Sequence, residues 1–512
     1  MRFEELLLPA GLECPKELFG VEVAKVTENS KEVVENSIFI CIKGTYDDGH
    51  AYIREALDAG ARVIVAENVR NECVGGAALL YADNTRSIAS LLYNLWYNNP
   101  ASKMKFIGVT GTNGKTSVAY MLLSILEAAG YKTGLIGTVE CLSVNRRTVK
   151  IDENMTTPSP RLLYRILDEM RNDGVEYVVM EVSSHALMQC RTQPICFDVA
   201  IFTNLSEEHL DFHKNMEDYY KAKEKLFLQT KAAVINIDDN AGKRLYSFLG
   251  EQGILKKSCS RKEGDFCALD EKISSFGINY VLVQDKDRCN AKTVRCRLCG
   301  DFQVMNSLEA IAAAELCGVD ALVSCSALEN MNLISGRLEK VSFDDLKKSS
   351  EDDVCVFIDY AHTPDALEKL LRNVRAIRPK ESRIILVFGC GGDRDRSKRK
   401  IMGQIASRLA DFVVVTSDNS RSEDPEKIIK EILKGIDKEK EFAVIKSRKE
   451  AIFNAIVCYA RKNDTVVLAG KGHENYEITA NGKLPFDEKS IAKNALLERS
   501  ERFGRKGCKN EG

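Results

Sequence analysis

The run Lys105–Ser117, KFIGVTGTNGKTS, restricts what this chain can fold into more than any other part of it. Phe106 to Val109 read as a short buried strand. Gly108, Gly111 and Gly114 follow at a spacing of three; then come Lys115, Thr116 and Ser117, and an apolar helical pattern starts at once. Strand, glycine turn, lysine and helix, in that order, hold a polyphosphate. The glycines let the N–H groups of Gly111, Thr112, Asn113 and Gly114 approach phosphate oxygens, the helix start adds partial positive charge, and Lys115 reaches the terminal phosphates. The Thr116 hydroxyl can sit on Mg²⁺. Val109 stands where the strict motif has glycine. The bland alternative, a glycine turn with an incidental lysine, fits the flanking strand and helix less well.

At 512 residues the chain is too long for one ordinary domain, and about three is the natural expectation. A formal net charge of -2 gives no reason to expect nucleic acid or an anionic membrane as partner. One Trp and 7% aromatic residues suggest no base-stacking platform. The 17 cysteines are odd in number and scattered. Met1–Ala10 has an apolar run beside two glutamates and does not read as a secretory leader. Free thiols in a reducing cytoplasm are therefore expected. The pair Cys296 and Cys299 lacks a second pair at zinc spacing. No apolar run is long enough to span a bilayer.

The fold class expected is α/β in three domains: a small N-terminal α/β domain at 1–98, a central phosphate-loop domain with a parallel sheet at 99–338, and a C-terminal Rossmann-like domain at 339–512. In the first, Ser37–Ile42 and Ala61–Ala66 are strand candidates, and Asn98-Asn99-Pro100 closes the domain as a linker. Near-continuous apolar strands are expected at Thr133–Val139, Glu176–Val182, Val199–Thr203 and Ala232–Ile237, and a parallel sheet covered on both faces follows from them. The segment 250–300 reads only as irregular strands. A second α/β set uses Val354–Ile358, Arg383–Phe388, Phe412–Thr416, Phe442–Ile445 and Thr465–Ala469. The stretch Ser500–Gly512 reads as a frayed basic tail.

Polar clusters follow the strands in both sets, where ligands of parallel sheets collect. Glu181 and His209 put a carboxylate and an imidazole near a nucleotide loop, plausible ligands for Mg²⁺ or its water shell. A hydrogen-bonded structural histidine is the alternative for His209. Arg394, Arg421, Asp418, Asn419 and Glu474 can grip a zwitterion, with arginine on its carboxylate and acids on its ammonium. For Arg394 alone, a solvated turn is the alternative. A reaction between two substrates is the chemistry these two sets suggest.

Taken together, VTGTNGKTS at 109–117, MEVSSHAL at 180–187, FTNLSEEHLDFH at 202–213, DYAHTPDAL at 359–367, GCGGDRD at 389–395 and GKGHE at 470–474 resemble the Mur ligases, in family order, over about Thr27 to Glu488. The resemblance implies an N-terminal domain for a UDP end, a central ATPase and a C-terminal domain for an incoming amino acid. It implies ATP-dependent phosphorylation of the D-glutamate carboxylate of UDP-MurNAc-L-Ala-D-Glu, then amide formation, as a step of peptidoglycan synthesis that serves cell shape and division. It also implies a cytoplasmic monomer. Gly111 to Ser117 would hold ATP and magnesium, with Asn306, Arg337, Asp359 and His362 as further nucleotide contacts. Thr116, Glu181, His209 and a carbamylated Lys223 match the metal ligands, and Lys115, Lys223, Glu181 and His209 the catalytic positions. From composition alone, Lys223 is a surface lysine in KAKEK. Ser30, Thr156, Thr157, Ser184, Gln189 and Arg191 match contacts to the UDP-muramoyl dipeptide. Arg394, Asp418, Asn419, Arg421, Gly470 and Glu474 match the amino-acid pocket.

Asp418-Asn419-Ser420-Arg421 stands where the family has Asp-Asn-Pro-Arg for meso-diaminopimelate. Arg421 suits a distal carboxylate, so diaminopimelate is expected, and L-lysine or another amino acid is the alternative. Asn29-Ser30-Lys31 replaces the usual Asp-Ser-Arg. Folylpolyglutamate-type and cyanophycin-type ligases and a phosphate-loop ATPase switch are the rival readings. A GTP switch should carry an Asn-Lys-x-Asp motif, and Asn236-Ile237-Asp238-Asp239 is not one.

Overall fold

The computed structural model describes residues 1–44, 47–69, 71–150, 155–208, 212–341 and 354–507. The chain forms two compact units, Met1–Cys267 with Leu308–Ser324, and Ala268–Ser307 with Cys325–Gly512. Both are α/β, as expected.

The first unit holds two sheets. One runs, in spatial order, Lys25–Thr27, Ser37–Ile40, Ala61–Ala66, Ala77–Tyr81 and Glu72–Val74, parallel except at its last pair. The other is part of a ten-stranded sheet, of which this unit holds, in order, Leu255–Ser260, Thr230–Asn236, Phe197–Phe202, Lys105–Thr110, Tyr177–Glu181, Thr133–Ile136 and Cys141–Leu142. These seven strands too are parallel except for the last pair. The Lys105–Thr110 strand lies in its middle, flanked on both sides, so its apolar residues are fully buried. That explains the continuous apolar run: with helices over both faces, neither set of alternate side chains meets water. The helix Thr85–Trp96 begins at Asn84, whose side chain accepts from Ser87 N, and ends before Asn98 and Asn99, both left-handed at φ 62 and 56. Asparagine tolerates that conformation better than most residues, which is why the linker reads as a stop.

The second unit is built on the order Glu339–Val341, Cys355–Asp359, Thr465–Ala469, Ile384–Phe388, Phe412–Val415 and Phe442–Val444, antiparallel only at the first pair. Alternate residues feed two cores. Val356, Ile358, Ile385, Val387 and Leu468 enter one, and Phe357, Leu386, Phe388, Val413 and Val467 the other. The register sets Asp359 and Phe388 both opposite Ala469, and Phe388 opposite Val415, so the turns after these strands share one edge.

Two expectations need correction. The 250–300 segment contains regular strands, including an antiparallel hairpin of Gly277–Gln284 with Asp287–Cys296. Its outer residues are exposed and charged, which hid the pattern. The tail is not frayed through its described part: the helix Glu488–Gly507 runs through it, and just before it buried Arg499 donates to the carbonyls of Ile456 and Ala460 at 2.8 Å.

Candidate active site

In the first unit, register brings three strand ends together. Val109 lies opposite Glu181, and Thr110 opposite Phe202. The loop leaving Thr110 therefore runs between the residues that follow each neighbour. Gly111 has φ 152, and a Cβ there would meet Thr203 Oγ1 at 1.9 Å. Gly114 is left-handed and caps the helix Lys115–Ala128. Only glycine meets both demands. The loop is pinned from one side by the Thr203–Ser206 segment. Thr112 N donates to Asn204 O at 2.9 Å, Asn113 N to Asn204 Oδ1 at 3.0 Å, and Thr203 Oγ1 to Asn113 O at 2.5 Å. Lys115 Nζ donates to the carbonyls of Gly111 and Thr112 at 2.8 and 2.9 Å, so its ammonium is held at the loop.

On the other side, Glu181 is 1% exposed. Its Oε1 accepts from Thr138 N at 3.0 Å and its Oε2 from Thr138 Oγ1 at 2.9 Å. Gly137 leaves it room, since a Cβ there would lie 2.5 Å from Oε1. Two donors orient the carboxylate, and each oxygen keeps acceptor capacity for a cation. Thr157 Oγ1 donates to Glu181 O at 2.9 Å, and Arg191 spans from Thr157 O at 2.7 Å to Gln189 Oε1. Thr156 Oγ1 lies within hydrogen-bond distance of Thr138 Oγ1, at 3.1 Å, and can donate to it while Thr138 donates to Glu181. One chain of bonds thus joins Glu181, Thr156, Thr157, Gln189 and Arg191. Ser184 bonds His213 Nε2 at 2.8 Å, and that imidazole stacks on Tyr219. Ser30 is buried in the Ser30–Glu32 turn, which Asn29 caps.

Lys223 is not a surface lysine. It lies on the helix Met216–Phe227 at 1% exposure, with Nζ 4.4 Å from the Tyr219 ring centroid. Burial pushes its amine well below the ordinary lysine value, Lys115 acts the same way, and Glu208 opposes them. His209 lies outside the described residues.

In the second unit, Asp418, Asn419 and Ser420 are all buried after the Phe412–Val415 strand. Burial works against the Asp418 carboxylate, but Arg448 and Lys471 outweigh it and hold its pKa below the ordinary value. Lys471 Nζ is 3.7 Å from Asp418 and donates to Asn419 Oδ1 at 2.9 Å. Asn419 Nδ2 donates to Glu474 Oε2 at 2.7 Å, while burial raises the Glu474 carboxyl. Gly470 is left-handed, and a Cβ there would stand 2.6 Å from Asp418 Oδ2. Arg421 Nη1 donates to Gly392 O at 2.7 Å. Arg394 is exposed.

Beside this rim, Asp359 accepts from Leu338 N and Ala361 N, and burial raises its carboxyl against the pull of Arg337. Arg337 lies over the Tyr360 ring, which also touches His362 and His473. Asn306 Nδ2 donates to Gln303 Oε1 at 2.9 Å. Sequence reasoning gave no role to Thr138, to Lys471 within the GKGHE run, or to the buried pair Arg448 and Glu488, joined at 2.8 Å. The strand expected at Thr133–Val139 takes in Thr138, whereas the observed strand ends at Ile136 and leaves Thr138 in the turn after it.

The Mur ligase middle domain matches residues 109–314, and the Mur ligase glutamate ligase domain matches 336–472. The chain is 41% identical over 479 residues to UDP-N-acetylmuramoyl-L-alanyl-D-glutamate–2,6-diaminopimelate ligase 1 of Clostridium acetobutylicum, covering 94% of this chain and 96% of that protein. It is 40% identical over 482 residues to the ligase of that name from Clostridioides difficile, covering 93% and 96%. A solved structure of a UDP-N-acetylmuramoyl-L-alanyl-D-glutamate–2,6-diaminopimelate ligase aligns with a TM-score of 0.69 at 27% identity, covering 98% of this chain and 99% of that one. With both domains matched and relatives similar along almost their whole length, the chain belongs to the Mur ligase family, in its MurE branch.

Proposed function

We propose that this protein joins meso-diaminopimelate to the D-glutamate of UDP-MurNAc-L-Ala-D-Glu at the expense of ATP, in cytoplasmic peptidoglycan precursor synthesis that serves cell shape and division. It acts as a monomer of three domains, 1–98 for the UDP end, 99–338 for ATP and 339–512 for the amino acid. The observation that carries the choice of amino acid is Arg421. Among the described residues its guanidinium is committed only through Nη1, which leaves N–H groups for the distal carboxylate of diaminopimelate.

A carboxylate is a poor electrophile, so the D-glutamate oxygen first attacks the γ-phosphorus and ADP leaves. The amine nitrogen then attacks the acyl carbon, phosphate leaves, and the nitrogen loses a proton. Lys115 stabilises charge on the transferring group, and the N–H groups of Gly111 to Gly114 cradle the phosphates. Asn306, Arg337, Asp359 and His362 contact the nucleotide. Ser30, Thr156, Thr157, Ser184, Gln189 and Arg191 position the UDP-muramoyl dipeptide. Asp418, Asn419, Gly470 and Glu474 receive the ammonium end of the amino acid, with Arg394 on its carboxylate side.

The donor set fits Mg²⁺, a hard cation satisfied by one or two oriented carboxylates together with substrate phosphates. Glu181, Thr116, His209 and Lys223 as its carbamate would hold it. When bound, Mg²⁺ neutralises charge on the β- and γ-phosphates.

The test is product formation, read by mass spectrometry, with ATP, Mg²⁺ and UDP-MurNAc-L-Ala-D-Glu, offering meso-diaminopimelate, L-lysine or L-ornithine separately. Tripeptide product with diaminopimelate alone is expected. Product with lysine alone would keep the ligase and overturn the amino-acid choice, and steady ATP hydrolysis without either acceptor would favour a switch.

A further inference from the structure

Arg421 sits in a backbone conformation that needs support. Its φ is 50, in the left-handed region that a long side chain rarely adopts. Strained positions of this kind persist only where the surroundings over-determine them. Ser420, unlike a proline, does not fix the φ of the turn before it. The support comes from elsewhere, and it is a closed set of bonds.

Arg399 lies in the helix Ser397–Leu409 and is fully buried. Its Nη1 and Nη2 reach Glu423 at 3.0 and 2.9 Å, its Nη1 also reaches Glu431 at 2.7 Å, and its Nη2 donates to Gly391 O at 3.1 Å. Glu423 in turn accepts Asp393 N at 2.7 Å. Asp393, itself left-handed at φ 52, accepts Ser422 Oγ at 2.7 Å and Ser422 N at 3.1 Å. Ser422 and Glu423 are the two residues after Arg421. The other side of the turn is tied as well: Arg421 N donates to Ile478 O at 3.0 Å, Glu423 N to Ser420 O at 3.0 Å, and Gly392 N to Asn419 O at 2.9 Å. Gly392 has no space for a side chain, since a Cβ would lie 1.9 Å from Ser420 O. The 389–395 turn and the 418–423 turn therefore behave as one body, clamped through a buried bidentate arginine.

We infer that Glu423 and Asp393, anchored on Arg399, are positioning residues that fix the Arg421 guanidinium for the distal carboxylate of the incoming amino acid and so set its selectivity. The inference rests on the reading that the added amino acid is a diaminodicarboxylate. None of the three needs to touch the substrate. They act by removing the freedom that Ser420 leaves in the turn, in the way pre-organisation strengthens binding without a new contact.

The experiment uses the full-length protein and steady-state ligation with each of the three substrates varied in turn. Glu423→Gln removes the charge that pairs with Arg399, and Asp393→Asn loosens the second link. Asp393 is exposed, so that variant keeps the core intact even if Glu423→Gln unfolds. Both are expected to raise KM for meso-diaminopimelate about tenfold, to leave kcat and the KM values for ATP and the UDP-dipeptide within about twofold, and to lower the preference for diaminopimelate over L-lysine. Adding Ser420→Pro to either variant is expected to restore much of the loss by stiffening the turn. Unchanged diaminopimelate KM in Asp393→Asn would overturn the inference. So would an equal loss for all three substrates, which marks a merely structural role. If the wild-type protein makes product with lysine and none with diaminopimelate, the amino-acid reading has failed instead, and the wild-type assay run in parallel shows which.

Discussion

Lys223 Nζ stands 4.4 Å from the centre of the Tyr219 ring, one helical turn back on the same helix, and the residue is 1% exposed. A cation over an aromatic face is favourable, but here burial wins and drives the amine well below its ordinary pKa. Burial therefore favours the uncharged amine, and the uncharged form is the nucleophile for CO₂. Its nitrogen bonds the carbon and sheds a proton, leaving a carbamate with two oxygens.

With ¹³C-labelled bicarbonate, the wild-type protein is expected to show a carbamate carbon resonance that Lys223→Ala lacks. Ligation by that variant should fall about a hundredfold or more, the scale for losing one preorganised electrostatic group. Full activity in Lys223→Ala would remove this lysine from the chemistry.

The phosphate loop offers a sterically defined prediction. Gly111→Ala places a methyl carbon 1.9 Å from Thr203 Oγ1 at a φ of 152. Either the loop or the Thr203 bond to Asn113 O must give way. Nucleotide affinity by calorimetry is expected to drop at least tenfold, with stability lowered by about 2 kcal/mol. Wild-type affinity would show that the loop has a slack that its bonds to Asn204 do not suggest.

How far these features could be read beforehand follows from what each depends on. The Lys105–Thr110 and Thr465–Ala469 strands were legible because a parallel strand buried on both faces is a continuous apolar run bounded by glycine. The Gly277–Gln284 and Asp287–Cys296 hairpin was not, because it is half exposed and carries Asp287, Arg288, Lys292 and Arg295 within a strand. Glu181 was visible as a residue at a strand end, and Lys115 as the residue that follows the glycine turn and opens a helix. The burial of Lys223 was not, since in sequence it lies between Lys221 and Lys225 and only the packing of its helix turns it inward. The bonds of Arg399 to Glu423 and Glu431 span 24 and 32 residues, a separation that no local pattern encodes.

Thr138 was one of the residues that local pattern did not single out, and it holds both oxygens of Glu181. Thr138→Val keeps the shape and the backbone donor and deletes the hydroxyl. Groups that orient a metal-binding carboxylate typically cost about ten- to a hundredfold when removed. The Mg²⁺ concentration giving half-maximal ligation is expected to rise by that order, with ATP-independent thermal stability nearly unchanged. An unchanged Mg²⁺ dependence would mean that the Glu181 carboxylate is oriented by Thr138 N alone, or does not approach the ion.

His473 gives a pH prediction with a definite sign. Burial first, and then the Arg337 guanidinium, lower its imidazole from the ordinary 6.5 to about 4. Tyr360 packs on it at 5.0 Å and offers no charge at these pH values. In the folded protein the ring is neutral down to about 4, while in the unfolded chain it takes up a proton below about 6.5. Between those values the unfolded state binds more protons, so this residue's contribution to stability is present above 6.5 and is lost progressively as pH falls to about 4. Asp359, Glu474 and Glu488, whose carboxyls are raised by burial, act with the opposite sign. The informative quantity is therefore the difference between the wild type and His473→Gln, which keeps a polar side chain of similar size but cannot titrate. In urea unfolding across pH 4 to 7, His473→Gln is expected to gain on the wild type steadily as pH falls through that window. A difference that stays flat would show that the imidazole is protonated in the fold, with an acceptor for its Nδ1 that the Tyr360 and Arg337 packing does not supply.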